Sequence, residues 1–137
     1  MWVLRFPGKG GIKVLKIHIL VAEDTELWRK FISSTLQKEP SVEIICEVVD
    51  GVQAVLAAER HQPTIALLDI SLPLLSGLDA ARSIRTLAPN TRIVFLSEQR
   101  DIEVVQAALD IGSRYVMKSN AARDLVAAIH SAAREEI

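Results

Sequence analysis

Five polar side chains follow apolar segments of this sequence, and together they have the chemistry of a cation and phosphoryl site. In chain order they are Glu23, Asp24, Asp69, Ser97 and Lys118. Three carboxylates placed close together repel one another, which raises their pKa values unless a cation lies between them. A small shell made only of oxygen ligands suits Mg²⁺, which takes one or two carboxylates and keeps several waters.

The combination fits phosphoryl transfer. A magnesium ion beside the Lys118 ammonium attracts an anion, and phosphoryl oxygens are its natural ligands, because phosphoryl transfer depends mainly on positioning and charge neutralisation. A carboxylate at the metal can itself be the nucleophile and form an aspartyl phosphate. Ser97 would donate a hydrogen bond to one phosphoryl oxygen.

The elements that must position these residues alternate along the chain. Apolar runs predict strands, and each run is followed by a helical pattern; the runs cover residues 17–22, 42–49, 64–68, 92–96 and 115–117. This alternation predicts an α/β fold, a single doubly wound sheet of five parallel strands with helices on both faces. Ligands of such sheets lie at the carboxyl ends of the strands, where the strand order switches. We therefore expect the polar residues to converge on one edge.

Composition limits the class of protein. The chain has 137 residues, 50% of them hydrophobic, and a formal net charge of −1, which fits one domain with a real core and no nucleic-acid or membrane surface. No apolar run is long enough to cross a bilayer. Cys46 is the only cysteine, which fits a reducing cytoplasm, and we interpret it as a small buried residue of a strand.

Residues 1–15 are interpreted as an N-terminal tail, followed by one domain over residues 16–137. Pro7 and the glycines around it interrupt any signal-peptide core. A natural extension, a cloning artefact and a misplaced start all remain open as explanations of the tail.

Each polar residue also has an ordinary structural explanation when taken alone. Acids at strand ends more often cap a helix or form a turn, as Glu23, Asp24 and Asp69 would. Ser97 would be another cap and Lys118 a solvated surface charge. Four of the five predicted strand ends carry complementary polar groups, and this joint occurrence favours a functional site.

The sequence resembles the receiver domains of bacterial response regulators over about residues 16–136. Four short segments carry the resemblance: residues 19–24, residues 67–73 with Gly77 following, residues 94–97 and residues 115–118. The resemblance implies the flavodoxin-like strand order 2-1-3-4-5. It also implies a role for each matching residue: Asp69 as phosphoacceptor, Asp24 as direct magnesium ligand, Glu23 as ligand through water, the Ser71 backbone carbonyl as a further ligand, Ser97 as switch hydroxyl, Lys118 as phosphate-binding lysine and Tyr115 as aromatic switch residue. For Tyr115, a half-buried strand tyrosine is the alternative.

The same resemblance implies a function in a phosphorelay. The chain would accept a phosphoryl group from a sensor histidine kinase in a Mg²⁺-dependent reaction and switch conformation to control an output domain or partner, most often in transcription. It would not be a turnover enzyme, although it would catalyse its own phosphotransfer and slow hydrolysis of the aspartyl phosphate. We expect a cytoplasmic protein that forms a homodimer in some states and does not bind membranes.

The sub-type resembles NarL/LuxR-type regulators, which usually carry a C-terminal helix-turn-helix domain that binds DNA. Because this sequence stops at Ile137, we expect no such domain in it, and either an excised receiver or a single-domain regulator explains the length. The segments that support this sub-type are residues 69–73, 104–109 and 118–119.

Three positions depart from the receiver pattern. Ser119 follows Lys118 where many receivers have a proline, and we expect a trans bond there because a cis bond before a non-proline residue is costly. Gly112 and Lys118 are six positions apart, one fewer than usual. Glu98 follows Ser97 where a small residue is common, and it is either a charged gate at the phosphoryl pocket or an ordinary solvated acid.

Three alternatives come from other classes. A flavodoxin-like cofactor binder would cradle phosphate with small residues and backbone amides, whereas Glu23 and Asp24 stand in the corresponding loop. A haloacid-dehalogenase-like phosphatase would need a second Asp where Ser71 stands. A degenerate receiver that acts only as a binding module would lack part of the site, and here every position is filled.

Overall fold

The structure, a computed structural model of the chain, describes residues 2–6, 11–112 and 114–134, with side chains from Lys16 onward. Seven strands and five helices occur among these residues. They are β1 (Trp2–Phe6), β2 (Gly11–Leu15), β3 (Ile17–Ala22), α1 (Glu26–Leu36), β4 (Val42–Val48), α2 (Gly51–His61), β5 (Ile65–Asp69), α3 (Gly77–Leu87), β6 (Arg92–Ser97), α4 (Ile102–Asp110), β7 (Arg114–Met117) and α5 (Ala121–Ala133). A 3-10 turn, Lys118–Asn120, joins β7 to α5.

The main sheet has five strands in the order β4-β3-β5-β6-β7, and every neighbouring pair is parallel. This confirms the predicted order 2-1-3-4-5 when the strands of this sheet are counted alone. The chain moves from β3 outward to β4 and then returns to the other side of β3 at β5. The switch in strand order therefore lies at the carboxyl ends of β3 and β5, where Glu23 and Asp69 stand.

The first fifteen residues contain a second, separate sheet. β1 and β2 pair antiparallel, with Trp2 opposite Leu15 and Phe6 opposite Gly11. The sequence analysis described residues 1–15 as a tail and predicted no strand there. The main sheet begins at Ile17, and the domain boundary at residue 16 stays a prediction.

Apolar side chains alternate between the two faces of the main sheet, because successive residues of a strand point to opposite sides. Ile19 and Val21 of β3 pack with α1 and α5, whereas Leu20 and Ala22 pack with α2, α3 and α4. The strands are apolar on both sides for this reason, as the sequence predicted.

Alanines form much of the helical surface that packs on the sheet. The spacing of larger apolar residues predicted the helices, but several of those residues are exposed: Leu27, Val52, Leu56, Ile102 and Leu109. The buried positions of α2 include Ala54 and Ala58, and α4 buries Ala108. Small side chains let these helices approach the sheet closely, and the larger neighbours face outward. Cys46 in β4 is half-buried rather than fully buried.

A close approach of two backbones fixes the end of β5. The Gly77 amide donates a hydrogen bond to the carbonyl of Ile70, 2.8 Å away. A Cβ atom at Gly77 would overlap the backbone oxygen of Asp69. Glycine at the start of α3 thus allows the helix to lie directly against the residue that carries the central carboxylate.

We expect Gly77→Ala to lower the free energy of unfolding by about 2–3 kcal/mol, since overpacking against backbone atoms cannot be relieved by a rotamer change. Gly112 is the matched control: it follows α4 with φ of +83°, and a Cβ there would meet nothing within 4 Å. Gly112→Ala should lower the free energy of unfolding by only about 1 kcal/mol, because its left-handed backbone is the only source of strain. Urea unfolding measures both; equal losses would contradict the role of the close approach.

Candidate functional site

A buried ion-pair cluster lies at the switch in strand order. The Lys118 ammonium lies 3.0 Å from Oε1 of Glu23 and 3.1 Å from Oδ2 of Asp69. The three side chains are between 1% and 7% exposed. Polar groups this deeply buried are tolerated when they are paired and hydrogen-bonded, so the three residues form one interdependent unit.

The pleat of the sheet brings the two carboxylates together. Val21 of β3 and Leu67 of β5 are partners in register, and both face α1 and α5. Glu23 and Asp69 each stand two residues further along their strands, so they fall side by side on that same face. Lys118 reaches them from the end of β7, two strands away from β5.

The cluster carries two acids against one ammonium. Burial and, after it, the hydrogen bond and charge of Asp69 raise the pKa of Glu23 to about 7, although the Lys118 ammonium acts in the opposite direction. Burial alone would lower the pKa of Lys118, but its hydrogen bond to Glu23 and the charge of Asp69 raise it above its ordinary value. One cause is common to both raised pKa values: a single lysine ammonium cannot neutralise two carboxylates, so each group holds its proton more tightly. The cluster therefore carries excess negative charge when both acids are ionised.

A divalent cation fits this excess charge. Oxygen atoms of Glu23, Asp24 and Asp69 lie within 4.8 Å of one another, and Asp24 is the exposed member of the three. The second oxygen of Glu23, Oε2, is buried and has no hydrogen-bond partner among the described atoms. A buried polar atom without a partner is costly, and hard oxygen donors such as these suit Mg²⁺ or Ca²⁺. The acidic cluster therefore has the donor set of a metal site.

A polar cavity of about 220 Å³ opens beside the cluster. Its lining consists of Asp24, Thr25, Asp69, Ser71, Glu98 and Lys118. The Ser71 amide donates to Oδ1 of Asp69 at 3.1 Å, so the Asp69 carboxylate is held by Ser71 on one oxygen and by Lys118 on the other. The ligand role that the resemblance implies for the Ser71 carbonyl stays a prediction.

Ser97 and Tyr115 lie on the other side of the sheet edge and share a different partner. Ser97 is fully buried, and its hydroxyl oxygen accepts a hydrogen bond from the Gln99 amide at 3.0 Å. The Tyr115 hydroxyl donates to the Gln99 carbonyl at 2.7 Å. Tyr115 is half-buried and packs with the α2, α3 and α4 side of the core. The structure thus connects these two residues with each other through the backbone of Gln99.

Sequence reasoning assigned no role to two residues of α1 that contact the cluster. The Arg29 guanidinium donates to the backbone carbonyl of Glu23 at 2.8 Å, which fixes the turn before Asp24. The Trp28 ring lies beside Lys118, with 4.9 Å between the ring centroid and Nζ. A helical side chain points back toward the start of its helix. Residues one turn into the helix after β3 were therefore candidates from the sequence alone.

Two departures from the receiver pattern can be located. The Lys118–Ser119 peptide bond is trans, as expected, and Ser119 belongs to the 3-10 turn before α5. The shortened loop between Gly112 and Tyr115 includes residue 113, which lies outside the described residues.

Comparison with known proteins identifies the family. The family model for the response regulator receiver domain matches residues 19–130. The chain therefore belongs to the response regulator receiver domain family. This confirms the resemblance drawn from the four short segments of the sequence.

Relatives with different outputs share the domain. A protein-glutamate methylesterase/protein-glutamine glutaminase of Myxococcus xanthus is 36% identical over 74% of this chain and 29% of its own length. The transcriptional regulatory protein DegU of Brevibacillus brevis is 31% identical over 83% of this chain and 49% of its own length. The chain thus spans half or less of the length of both relatives. The output of the domain differs between them.

The receiver domain of Mycobacterium tuberculosis NarL has the same fold. It superimposes with a TM-score of 0.83 at 27% identity, covering 89% of this chain and 99% of that domain. Regulators of the NarL/LuxR type therefore occur among the relatives, as the sub-type resemblance predicted. Within the residues described, no helix is both long enough and apolar enough to cross a membrane.

We expect the metal-free protein to lose stability as the pH rises from about 5 to about 7. The folded pKa of Glu23 is raised from 4.5 to about 7, so in this window the folded protein holds a proton that the unfolded chain has released. Stability linked to this proton is present at the acidic end and falls as pH rises through the folded pKa. The fall attributable to Glu23 is about 2 kcal/mol.

Urea unfolding at pH 5 and pH 7 with a chelator measures this dependence, and Glu23→Gln is the control because it cannot titrate. The charged groups that face the Glu23 carboxylate, Asp69 and Lys118, remain in both proteins. The difference in pH dependence between the two proteins isolates Glu23. Identical dependences in wild type and Glu23→Gln would show that Glu23 does not titrate in this range.

Proposed function

We propose that this chain is a phosphorelay receiver that takes a phosphoryl group on Asp69 from a sensor histidine kinase, in a reaction that requires Mg²⁺. One observation carries the proposal: Lys118 bridges the buried carboxylates of Glu23 and Asp69 beside an open polar cavity. An ammonium so placed reaches both the nucleophile and an incoming phosphoryl group. Family membership supports the same reaction.

Asp69 is the nucleophile of the proposed transfer. Its carboxylate oxygen attacks the phosphorus of the kinase phosphohistidine, the phosphorus–nitrogen bond breaks, and the imidazole nitrogen keeps the electron pair. The Ser71 amide and Lys118 each hold one oxygen of Asp69, which orients the carboxylate before the donor arrives. Positioning and charge neutralisation of this kind are the main contributions a protein makes to phosphoryl transfer.

Asp24, Asp69 and the Ser71 carbonyl would hold Mg²⁺ directly, and Glu23 would hold it through water. When bound, the ion supplies positive charge for the phosphoryl oxygens. Within the chain, Lys118 adds a second positive charge on the side of the cavity where it already contacts Asp69. The unpartnered Oε2 of Glu23 supports this assignment.

Ser97 and Tyr115 would transmit the conformational change that follows phosphorylation. The Ser97 hydroxyl, now an acceptor for the Gln99 amide, would turn to donate to a phosphoryl oxygen. Because Tyr115 holds the carbonyl of the same Gln99, the loop after β6 would move with both residues. The change then reaches α4, β7 and α5, whose surface would control a partner, a second copy of the chain or an output domain. A ligand shifts such an equilibrium only through different contacts in the two states.

The biological setting follows from the same proposal. The protein would act in the cytoplasm, without a membrane, and most often in the control of transcription. Any contact with DNA would come through a helix-turn-helix output domain and not through the receiver itself. The chain would not turn over a substrate beyond its own phosphotransfer and the slow hydrolysis of its aspartyl phosphate.

We expect Asp69→Asn to abolish phosphorylation, because an amide cannot act as the nucleophile. The full chain is incubated with Mg²⁺ and a small phosphodonor, and the added phosphoryl mass is measured. Asp110→Asn is the matched control, since Asp110 is an exposed acid at the end of α4, and it should be labelled like wild type. Labelling that persists in Asp69→Asn, or that ignores a chelator, would contradict the proposal; an unlabelled wild type would favour a receiver that acts only as a binding module.

We expect Glu98→Ala to speed phosphorylation by a small anionic donor severalfold at low ionic strength. Glu98 is exposed and lines the polar cavity, and an extra carboxylate near a surface repels an anion about 4 Å away by roughly 4 kcal/mol at most. The gain should shrink at high salt, which screens exposed charges.

Glu103→Ala, which removes an exposed acid from the first turn of α4, controls for the change in net charge. With Mg²⁺ saturating, equal rates for Glu98→Ala and Glu103→Ala at low salt would make Glu98 an ordinary surface acid.

A further inference from the structure

We propose that Trp28 is a positioning residue for Lys118, and that its indole ring keeps the ammonium in place during phosphoryl transfer. This inference deepens the proposed function and rests on it. The observation behind it is the 4.9 Å separation between Nζ of Lys118 and the centroid of the Trp28 ring. A cation within about 6 Å of an aromatic ring is attracted by the electron-rich face, and tryptophan gives the strongest effect.

The ring is itself held in place. Trp28 is half-buried in the first turn of α1 and meets Phe31 edge to face, with 5.2 Å between centroids and 76° between the ring planes. Both rings pack against the core cluster shared by α1 and α5. A ring fixed on two sides can restrict where the Lys118 ammonium goes, which a mobile surface aromatic could not do.

The reaction changes the other two partners of the ammonium. In the resting protein Nζ contacts Oε1 of Glu23 and Oδ2 of Asp69. A bound divalent cation competes for both carboxylates, and phosphorylation converts Asp69 from a carboxylate into an acyl phosphate. Of the three contacts of the Lys118 ammonium, the one with Trp28 is the one that neither metal binding nor phosphorylation of Asp69 alters. The ring therefore contributes most when the carboxylates are engaged elsewhere, and least in the resting protein.

This difference predicts a kinetic effect rather than a loss of fold. Interactions accelerate a reaction only when they are stronger in the transition state than in the ground state. Removing the ring should slow phosphorylation by roughly fivefold to thirtyfold, the range between loss of an exposed and loss of a desolvated cation–π contact. A merely structural tryptophan would instead lower stability and leave the rate per folded molecule unchanged.

Three variants of the full chain separate these roles. Trp28→Leu removes the aromatic face and should show the full slowing with a small phosphodonor and saturating Mg²⁺. Trp28→Phe keeps a ring and should recover most of the rate. Leu27→Ala is the matched control, because Leu27 is 75% exposed and lines an apolar groove that also includes Trp28. It should react like wild type, and urea unfolding of each variant gives the folded fraction.

A second measurement needs neither metal nor donor. An aromatic ring shifts the NMR signals of protons above its face upfield, so the ε-methylene protons of Lys118 should be upfield of other lysine signals in wild type and in Trp28→Phe. The shift should disappear in Trp28→Leu, and Lys118→Arg identifies the signal by its loss.

The outcomes are distinct. Equal rates for Trp28→Leu and wild type, or an unshifted Lys118 signal in wild type, would overturn the role of Trp28 and leave the proposed function standing. A wild type that accepts no phosphoryl group would instead overturn the proposed function, and the NMR shift would still decide whether the ring holds the ammonium.

Discussion

The buried ammonium of Lys118 between the carboxylates of Glu23 and Asp69 is the interaction on which the site depends. Two acids and one base leave a negative charge without a partner, and Glu23 reflects it in a raised pKa and in a buried oxygen, Oε2, with no hydrogen-bond partner among the described atoms. A buried charge of this kind costs stability unless something binds it. The acidic cluster of Glu23, Asp24 and Asp69 could hold a metal ion at this point.

The pleat of the sheet places the residues of the site on two opposite faces. Glu23, Asp69 and Lys118 lie on the side of α1 and α5, where Trp28 also contacts the ammonium. Tyr115 packs on the side of α4. Tyr115 and Ser97 are each hydrogen-bonded to the backbone of Gln99. The ion-pair cluster and the hydrogen bonds that join Ser97 and Tyr115 to Gln99 thus lie on opposite faces of one sheet edge.

Much of this arrangement could be predicted from the sequence, because it follows from rules that need only strand positions. Apolar runs located the five strands, and the rule that parallel strands present ligands at their carboxyl ends located the polar residues. The rotation of each helix was less accessible, since the fully buried side chains of α2 and α4 are alanines rather than the larger apolar residues. Gln99 escaped prediction because both of its contacts use its backbone atoms, which a residue pattern does not report. The β1–β2 pairing was missed because residues 1–15 were interpreted only as a tail.

The contacts at Gln99 have a consequence for the substitutions that this position tolerates. Ser97 binds the amide of residue 99 and Tyr115 binds its carbonyl, so neither bond depends on which side chain stands there. The exposed side chain at this position can therefore be exchanged for that of any residue except proline, which lacks the amide hydrogen, without removing the link between Ser97 and Tyr115.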